Sequence, residues 1–133
     1  MKTAVRYYSK SGNTKSIARA IAGGAGTKAV SITDEPKLKE HVDVLFLGGA
    51  PYANIMAPEL RKYAEELSSD MVGRVVLFTT SNWSRRTVYA LRKLLTEKGI
   101  EIEQEHFYAH MLHIKGRLDA AKEFGRRLAE KSE

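Results

Sequence analysis

The sequence has no cysteine, only three prolines, and no apolar run long enough to cross a membrane. Without cysteine the chain cannot form disulfides, thiolate metal sites or a cysteine nucleophile. A spanning helix needs about 20 apolar residues, and the basic N-terminus is followed by no apolar stretch of signal-peptide length. We therefore expect a cytoplasmic protein with no membrane partner.

Acidic residues are missing from the first 30 positions, which carry six lysines and arginines. A second basic stretch, residues 84–98, holds five cations and one acid, and the formal net charge of the chain is +6. Such a balance favours anionic partners, namely phosphate groups, acidic proteins or nucleic acid. We expect no nucleic-acid partner, because the sequence has no recognised binding module and few aromatic residues among its cations.

Strand patterns and helix patterns alternate along the whole chain. Such alternation is typical of a three-layer α/β sandwich with a parallel sheet, and right-handed crossovers favour a doubly wound arrangement. A length of 133 residues suits one domain, so we expect residues 1–133 to form a single domain. The predicted strands are residues 3–8, 28–32, 44–47, 74–80 and 100–108, and the predicted helices are residues 14–22, 37–41 (a single turn), 58–67, 88–95 and 118–128.

Two details of these elements are also predicted. Gly23, Gly24 and Gly26 are expected to end the first helix, because glycine is favoured just beyond helix C-termini. The glutamates that alternate along residues 100–108 indicate a strand with one solvated face at an edge of the sheet. The first strand is expected to be central.

Hydroxyl and amide side chains cluster between the first strand and the first helix, where a glycine lets a ligand approach the backbone. The start of a helix offers free N–H groups and a favourable dipole for a phosphate, although a capped turn would have similar residues. Neither a Walker A sequence nor a GxGxxG sequence is present. The segment consists of Ser9, Lys10, Ser11, Gly12, Asn13 and Thr14.

Four segments together carry a resemblance to flavodoxins. YYSKSGNTKSIARAIA (residues 7–22) resembles the loop that binds the FMN phosphate in that family, and LGGAPYANIMAPELRKYAEEL (47–67) resembles its second loop. VVLFTTSNWSRR (75–86) occupies the place of the third loop, and FYAHMLHIKGRLDAAKEFGRRL (107–128) resembles the C-terminal end. The resemblance implies a flavodoxin-like three-layer sandwich of the short-chain type, with a five-stranded parallel sheet in the order 2-1-3-4-5.

The resemblance implies noncovalent FMN as the cofactor. Tyr52 and Trp83 are the aromatic residues of the second and third loops, and a planar flavin favours aromatic faces. The phosphate would be cradled by Ser9, Lys10, Ser11, Gly12, Asn13 and Thr14. The ring would contact Ala50, Pro51 and Tyr52, with Ala53 and Asn54 in the same loop, and also Thr80, Ser81, Asn82 and Trp83.

The resulting expectation is a small redox protein that passes electrons through FMN to a redox partner protein. Arg85 and Arg86 lie beside the third loop, so that partner is expected to be acidic and reduction of FMN to be favoured. The alternatives are an FMN-dependent quinone or NAD(P)H reductase, and a flavin-free anion-binding or regulatory module. We predict a monomer or homodimer without a catalytic side chain or metal site, since His110 and His113 have no accompanying carboxylate.

Overall fold

A computed structural model describes residues 1–53 and 55–131. Five parallel strands form the main sheet in the order β2-β1-β3-β6-β7, and β4 and β5 form a small antiparallel hairpin. In chain order the elements are β1 (Thr3–Tyr8), α1 (Asn13–Ala25), β2 (Ala29–Ser31), β3 (Val42–Gly49), β4 (Pro51–Tyr52), β5 (Ile55–Met56), α2 (Pro58–Glu65), β6 (Val72–Ser81), α3 (Arg86–Glu97), β7 (Phe107–His110) and α4 (Leu118–Glu130). Counted within the main sheet, the order is 2-1-3-4-5, as predicted.

The two faces of the sheet are covered by different helix pairs. Leu45 and Leu47 of β3 pack toward α2 and α3, whereas Val44 and Phe46 pack toward α1 and α4. All four side chains are fully buried, which explains why this strand is apolar at successive positions. The α/β sandwich predicted from the sequence is confirmed.

Helices α1 and α4 approach each other through glycine. A Cβ atom on Gly24 would lie 1.8 Å from the carbonyl oxygen of Lys122, and one on Gly125 would lie 2.1 Å from that of Ile21. The expectation that Gly23 and Gly24 end the first helix is therefore wrong, since both lie inside α1. Only Gly26, with a φ of 76°, has the left-handed conformation of a helix end.

The last strand begins later than predicted. Residues 100–108 were expected to pair, but β7 spans Phe107–His110, and Ile102 forms only an isolated bridge with Val75. The Arg92 side chain donates hydrogen bonds to the carbonyl oxygens of Glu103 (3.1 Å) and Gln104 (3.2 Å). The backbone there is thus held by Arg92 and by two hydrogen bonds with Val75 of β6, from Val75 N–H to the Glu101 carbonyl (2.9 Å) and from Glu103 N–H to the Val75 carbonyl (2.8 Å).

Two further expectations are wrong. The middle strand is β3, and β1 lies between β2 and β3. Residues 37–41 contain no helical turn; Leu38 alone of this segment is buried, and the charged residues beside it are exposed. A single turn with one buried contact cannot offset the cost of helix nucleation.

Within residues 1–53 and 55–131, no helix combines the length and the apolar character needed to span a bilayer. The same residues contain no group of three or more histidine and acidic side chains that could hold a metal ion.

Candidate functional site

The first candidate loop joins β1 to α1 at the carboxyl edge of the sheet. Gly12 has a φ of 94° and precedes the first helical residue, Asn13. Its backbone N–H donates to Ser9 Oγ at 3.0 Å, and Ser11 Oγ lies 3.5 Å from the Asn13 nitrogen. Within the described residues no side chain caps α1, and its first turn has no acid. This helix end therefore offers N–H groups to an anion.

Tyr52 joins the second loop to the first. The backbone N–H of Lys10 donates to the Tyr52 hydroxyl at 2.8 Å, and Lys10 Nζ lies 4.6 Å from the centroid of the ring. The Tyr52 and Tyr8 rings form a nearly perpendicular pair, with the two centroids 6.2 Å apart. Ala53 follows with a φ of 51°, which is uncommon for a residue with a Cβ atom. The ring is thus fixed between the two loops.

The third loop follows β6 and is tied to β7. Trp83 has a φ of 71°, and its backbone N–H donates to the Tyr108 hydroxyl at 2.7 Å. That hydroxyl donates in turn to the Ser81 carbonyl oxygen at 3.0 Å, while Ser81 Oγ donates to the carbonyl of Ser84. The Trp83 side chain is 72% exposed. The backbone of this loop is therefore fixed, while its indole projects into solvent.

Three buried threonines connect these strand ends. Thr14 Oγ1 and Thr80 Oγ1 lie 2.7 Å apart, which links the start of α1 to β6. Thr79 Oγ1 donates to the Gly49 carbonyl oxygen at 2.6 Å, which links β6 to the end of β3. Because both contacts are buried, they hold the three loops in a fixed relation to one another.

One cavity of about 310 Å³ lies between the three loops, within the size range of small-molecule sites. Six of the predicted residues do not line it, namely Ser9, Lys10, Gly12, Thr14, Ala53 and Trp83, although the first four support the loop around it. Asn54 lies outside the described residues. The wall of the cavity includes the predicted residues Ser11, Asn13, Ala50, Pro51, Tyr52, Thr80, Ser81 and Asn82, together with Ser84 and Met111.

Of the two wall residues outside the predicted set, Ser84 directly follows the predicted third-loop residues, whereas Met111 comes from a segment that sequence reasoning missed. It follows β7 directly, and its backbone N–H donates to the Ser81 carbonyl at 2.9 Å. A signal was available, because residues just beyond the carboxyl end of a strand lie at the ligand-binding edge of such a sheet. The prediction ended the last strand at Tyr108, two residues before its actual end.

A hydroxyl and a carboxylate face each other beside the second loop. The Tyr8 hydroxyl donates to Glu59 Oε2 at 2.9 Å. This hydrogen bond is the main cause of a raised pKa of Tyr8, and burial of the hydroxyl raises the pKa further. The pKa of Glu59 is lowered, first by its own backbone N–H and then by Tyr8. The carboxylate at this edge is thus already hydrogen-bonded and ionised at neutral pH.

Comparison with solved structures identifies the fold. A flavodoxin from the domain Archaea matches with a TM-score of 0.85 and 22% identity, covering 98% of this chain and 97% of that one. Flavodoxin 1 from Bacillus cereus matches with a TM-score of 0.76 and 18% identity, covering 98% and 99%. A flavodoxin, WrbA-like protein from Agrobacterium tumefaciens gives 0.75 and 21%, covering 97% and 96%.

No family model and no curated protein matches the sequence. The structural matches establish that this chain has the flavodoxin fold over nearly its whole length, which agrees with the resemblance seen in the sequence.

Proposed function

We propose that this chain binds FMN noncovalently in the cavity between the three loops and carries electrons to or from a partner protein. The observation that supports this most is the cavity wall, to which all three predicted loops contribute side chains at one edge of the sheet. The flavodoxins among the structural matches support the same assignment.

The residues present fit the phosphate end of FMN. The start of α1 has neither a capping side chain nor an acidic first turn within the described residues. A Cβ atom placed on Gly12 would meet nothing within 4 Å, so the backbone is open on that side. The N–H groups at this helix start, with the side chains of Ser11 and Asn13, would hold the phosphate dianion.

The ring end of the site has its own donors and surfaces. Ala50, Pro51 and Tyr52 would lie along one side of the isoalloxazine, and residues 80–82 would contribute backbone hydrogen-bonding groups and exclude water. When bound, FMN supplies one- and two-electron redox chemistry that no side chain here provides. The protein binds the cofactor, orients it and leaves one edge accessible to a partner.

Titration with FMN tests the first part of this proposal. We expect saturable binding at micromolar FMN, with quenching of flavin fluorescence. Riboflavin should bind more weakly because it lacks the phosphate, and FAD because its adenylate has no pocket. Absence of saturable uptake would refute the assignment.

A second measurement tests the role. FMN-loaded protein, once reduced photochemically, should reduce ferricyanide stoichiometrically, whereas the oxidised FMN-loaded protein should not oxidise NADPH. Steady oxidation of NADPH with a quinone by the purified protein alone would show that it is a reductase instead of a carrier.

A further inference from the structure

A second, larger groove runs along the outer edge of β7 and reaches α4. Its volume is about 560 Å³, and it is lined mainly by cationic and aromatic residues, with Glu105 as its one carboxylate among the described residues. The basic residues that line it are Arg85, His106, His110, His113, Arg117 and Arg127.

The carboxylate of this groove is already neutralised. Arg127 donates two hydrogen bonds to Glu105, at 2.8 and 2.6 Å. The Arg127 guanidinium lowers the pKa of Glu105 and keeps this side chain ionised. The pair therefore contributes no net charge to the groove, and Glu105 is not available to balance the other cations.

Arg85 and Arg117 have no carboxylate partner among the described residues, yet both are held in place. Arg85 lies with its guanidinium carbon 4.1 Å from the ring centroid of Tyr108. The corresponding carbon of Arg117 lies 4.6 Å from the ring centroid of Phe107, and Arg117 donates to the Tyr108 carbonyl at 3.1 Å. Guanidinium groups fixed on aromatic rings lose little entropy when they bind a carboxylate.

The groove adjoins the candidate FMN cavity. His110 Nε2 lies 3.0 Å from Oδ1 of Asn82, which lines that cavity. The His110 ring is 4.6 Å from the Trp83 ring and 5.4 Å from the His113 ring, so a row of three rings leads from the third loop into the groove. A molecule seated in the groove would thus lie beside the third loop.

We propose that this groove docks a carboxylate-rich surface of the redox partner, an inference that rests on the proposed function. Its two guanidinium groups without a carboxylate partner among the described residues belong to different elements, Arg85 just before α3 and Arg117 just before α4, and an acidic protein surface can offer a separate carboxylate to each. Exposed apolar side chains adjoin the residues that line the groove: Trp83 contacts His110, and Met111 and Leu112 lie between His110 and His113 in the chain, Leu112 being 77% exposed. Aromatic residues, methionine and arginine are the types enriched in protein interfaces, and opposite charges orient such encounters.

A labelled hexaglutamate peptide is a direct probe of this groove. At low salt it should bind saturably and shift the amide NMR signals of residues 106–117, whereas hexalysine should do neither. The double variant Arg85→Gln, Arg117→Gln should bind the peptide about tenfold more weakly, because two unpaired cations are lost. The control Arg19→Gln, Lys39→Gln, with the same loss of charge at exposed positions outside the groove, should bind it within about twofold of the parent.

The outcomes separate this proposal from FMN binding. Equal losses in both double variants would mean that net charge alone attracts the peptide, and would overturn the docking site. Signal shifts with inorganic pyrophosphate but none with hexaglutamate would assign the groove to phosphate, and would overturn it too. If the peptide binds as expected but FMN does not, the proposed function fails while the acidic docking surface stands.

Discussion

At the scale of single residues, Tyr52 has a structural task that its sequence context did not reveal. The family resemblance implies contact with the flavin ring, and the residue does line the cavity, but its hydroxyl also accepts a hydrogen bond from the backbone of Lys10. The same side chain thus fixes the phosphate loop and shapes the wall for the ring. Such a double role depends on the hairpin geometry of β4 and β5, which no local sequence pattern specifies.

Replacement of one hydroxyl tests the phosphate end of the site. We expect Ser11→Ala to weaken FMN binding by roughly tenfold, because a hydrogen bond to a charged group contributes at least about 1.5 kcal/mol. Riboflavin binding should be unchanged, since that ligand has no phosphate. Fluorescence titration measures both affinities.

The matched control is Ser69→Ala, which removes an exposed hydroxyl before β6, at the opposite edge of the sheet. It should leave both affinities unchanged. Equal weakening of FMN and riboflavin by Ser11→Ala would contradict a phosphate contact.

Burial of Tyr63 should lower the free energy of unfolding at alkaline pH. This side chain is 3% exposed, and burial raises its pKa to about 12 from the usual 10.0. Below pH 10 both the folded and the unfolded protein keep the proton, so stability is unaffected. Between about pH 10 and 12 the unfolded chain ionises while the folded protein does not, and up to about 2 kcal/mol of stability is lost.

Denaturant unfolding at a series of pH values checks this expectation. The Tyr63→Phe variant cannot ionise, so its free energy of unfolding should fall less steeply than that of the parent above pH 10. Tyr89→Phe, at an exposed position on α3, is the control and should follow the parent curve. Parallel curves for the parent and Tyr63→Phe would show that this hydroxyl is free to ionise in the folded protein.

At the scale of elements, the sequence predicted those features that depend on local pattern. The continuous apolar run in β3 and the helical spacing of Ile17 and Ile21 were sufficient to place these elements and their buried faces. The end of α1 could not be predicted in this way. Gly24 is required by Lys122 of α4, a residue nearly 100 positions away, and helix-end rules assign such a glycine to a terminus.

The candidate site also has one part that local sequence predicts and another that depends on distant contacts. The phosphate loop was predictable because its hydroxyl groups, its glycine and the helix start are contiguous in sequence. Met111 was missed because the predicted strand ended at Tyr108, whereas β7 continues to His110, which pairs with Ser81 of β6. Long-range contacts of this kind determine register without leaving a periodic pattern.

Adjacent glycines in α1 offer a paired test of helix packing. Gly24→Ala should destabilise the fold by about 2 kcal/mol, because the new methyl group would collide with the Lys122 carbonyl and separate α1 from α4. Gly23→Ala should instead stabilise it by about 0.5–1 kcal/mol, since a Cβ there meets nothing within 4 Å and alanine favours the helix. Urea unfolding measures both values, and destabilisation of similar size by both substitutions would argue against the close contact.

At the scale of the whole molecule, the positive charge is concentrated by the fold. Arg85 at the start of α3 and Arg117 before α4 are 32 positions apart in sequence, yet both contribute to one groove. The sequence predicted an anionic partner from composition alone, but it could not predict this surface, because Arg85 and Arg117 meet only where both contact the edge strand β7. Three of the four histidines, His106, His110 and His113, lie at the same edge.

The charge beside the third loop should also tune the proposed cofactor. Reduction adds negative charge to bound FMN, and nearby cations favour it. We expect the double variant Arg85→Ala, Arg86→Ala to retain FMN and to have a midpoint potential about 20 mV lower at low salt, which corresponds to about 0.5 kcal/mol for a one-electron couple. The difference should shrink in 1 M salt, where the Debye length is about 3 Å. Spectroelectrochemical titration measures it, and Arg19→Gln, Lys39→Gln controls for net charge. An unchanged potential at low salt would mean that both guanidinium groups are too far from the flavin or too well solvated to act on it.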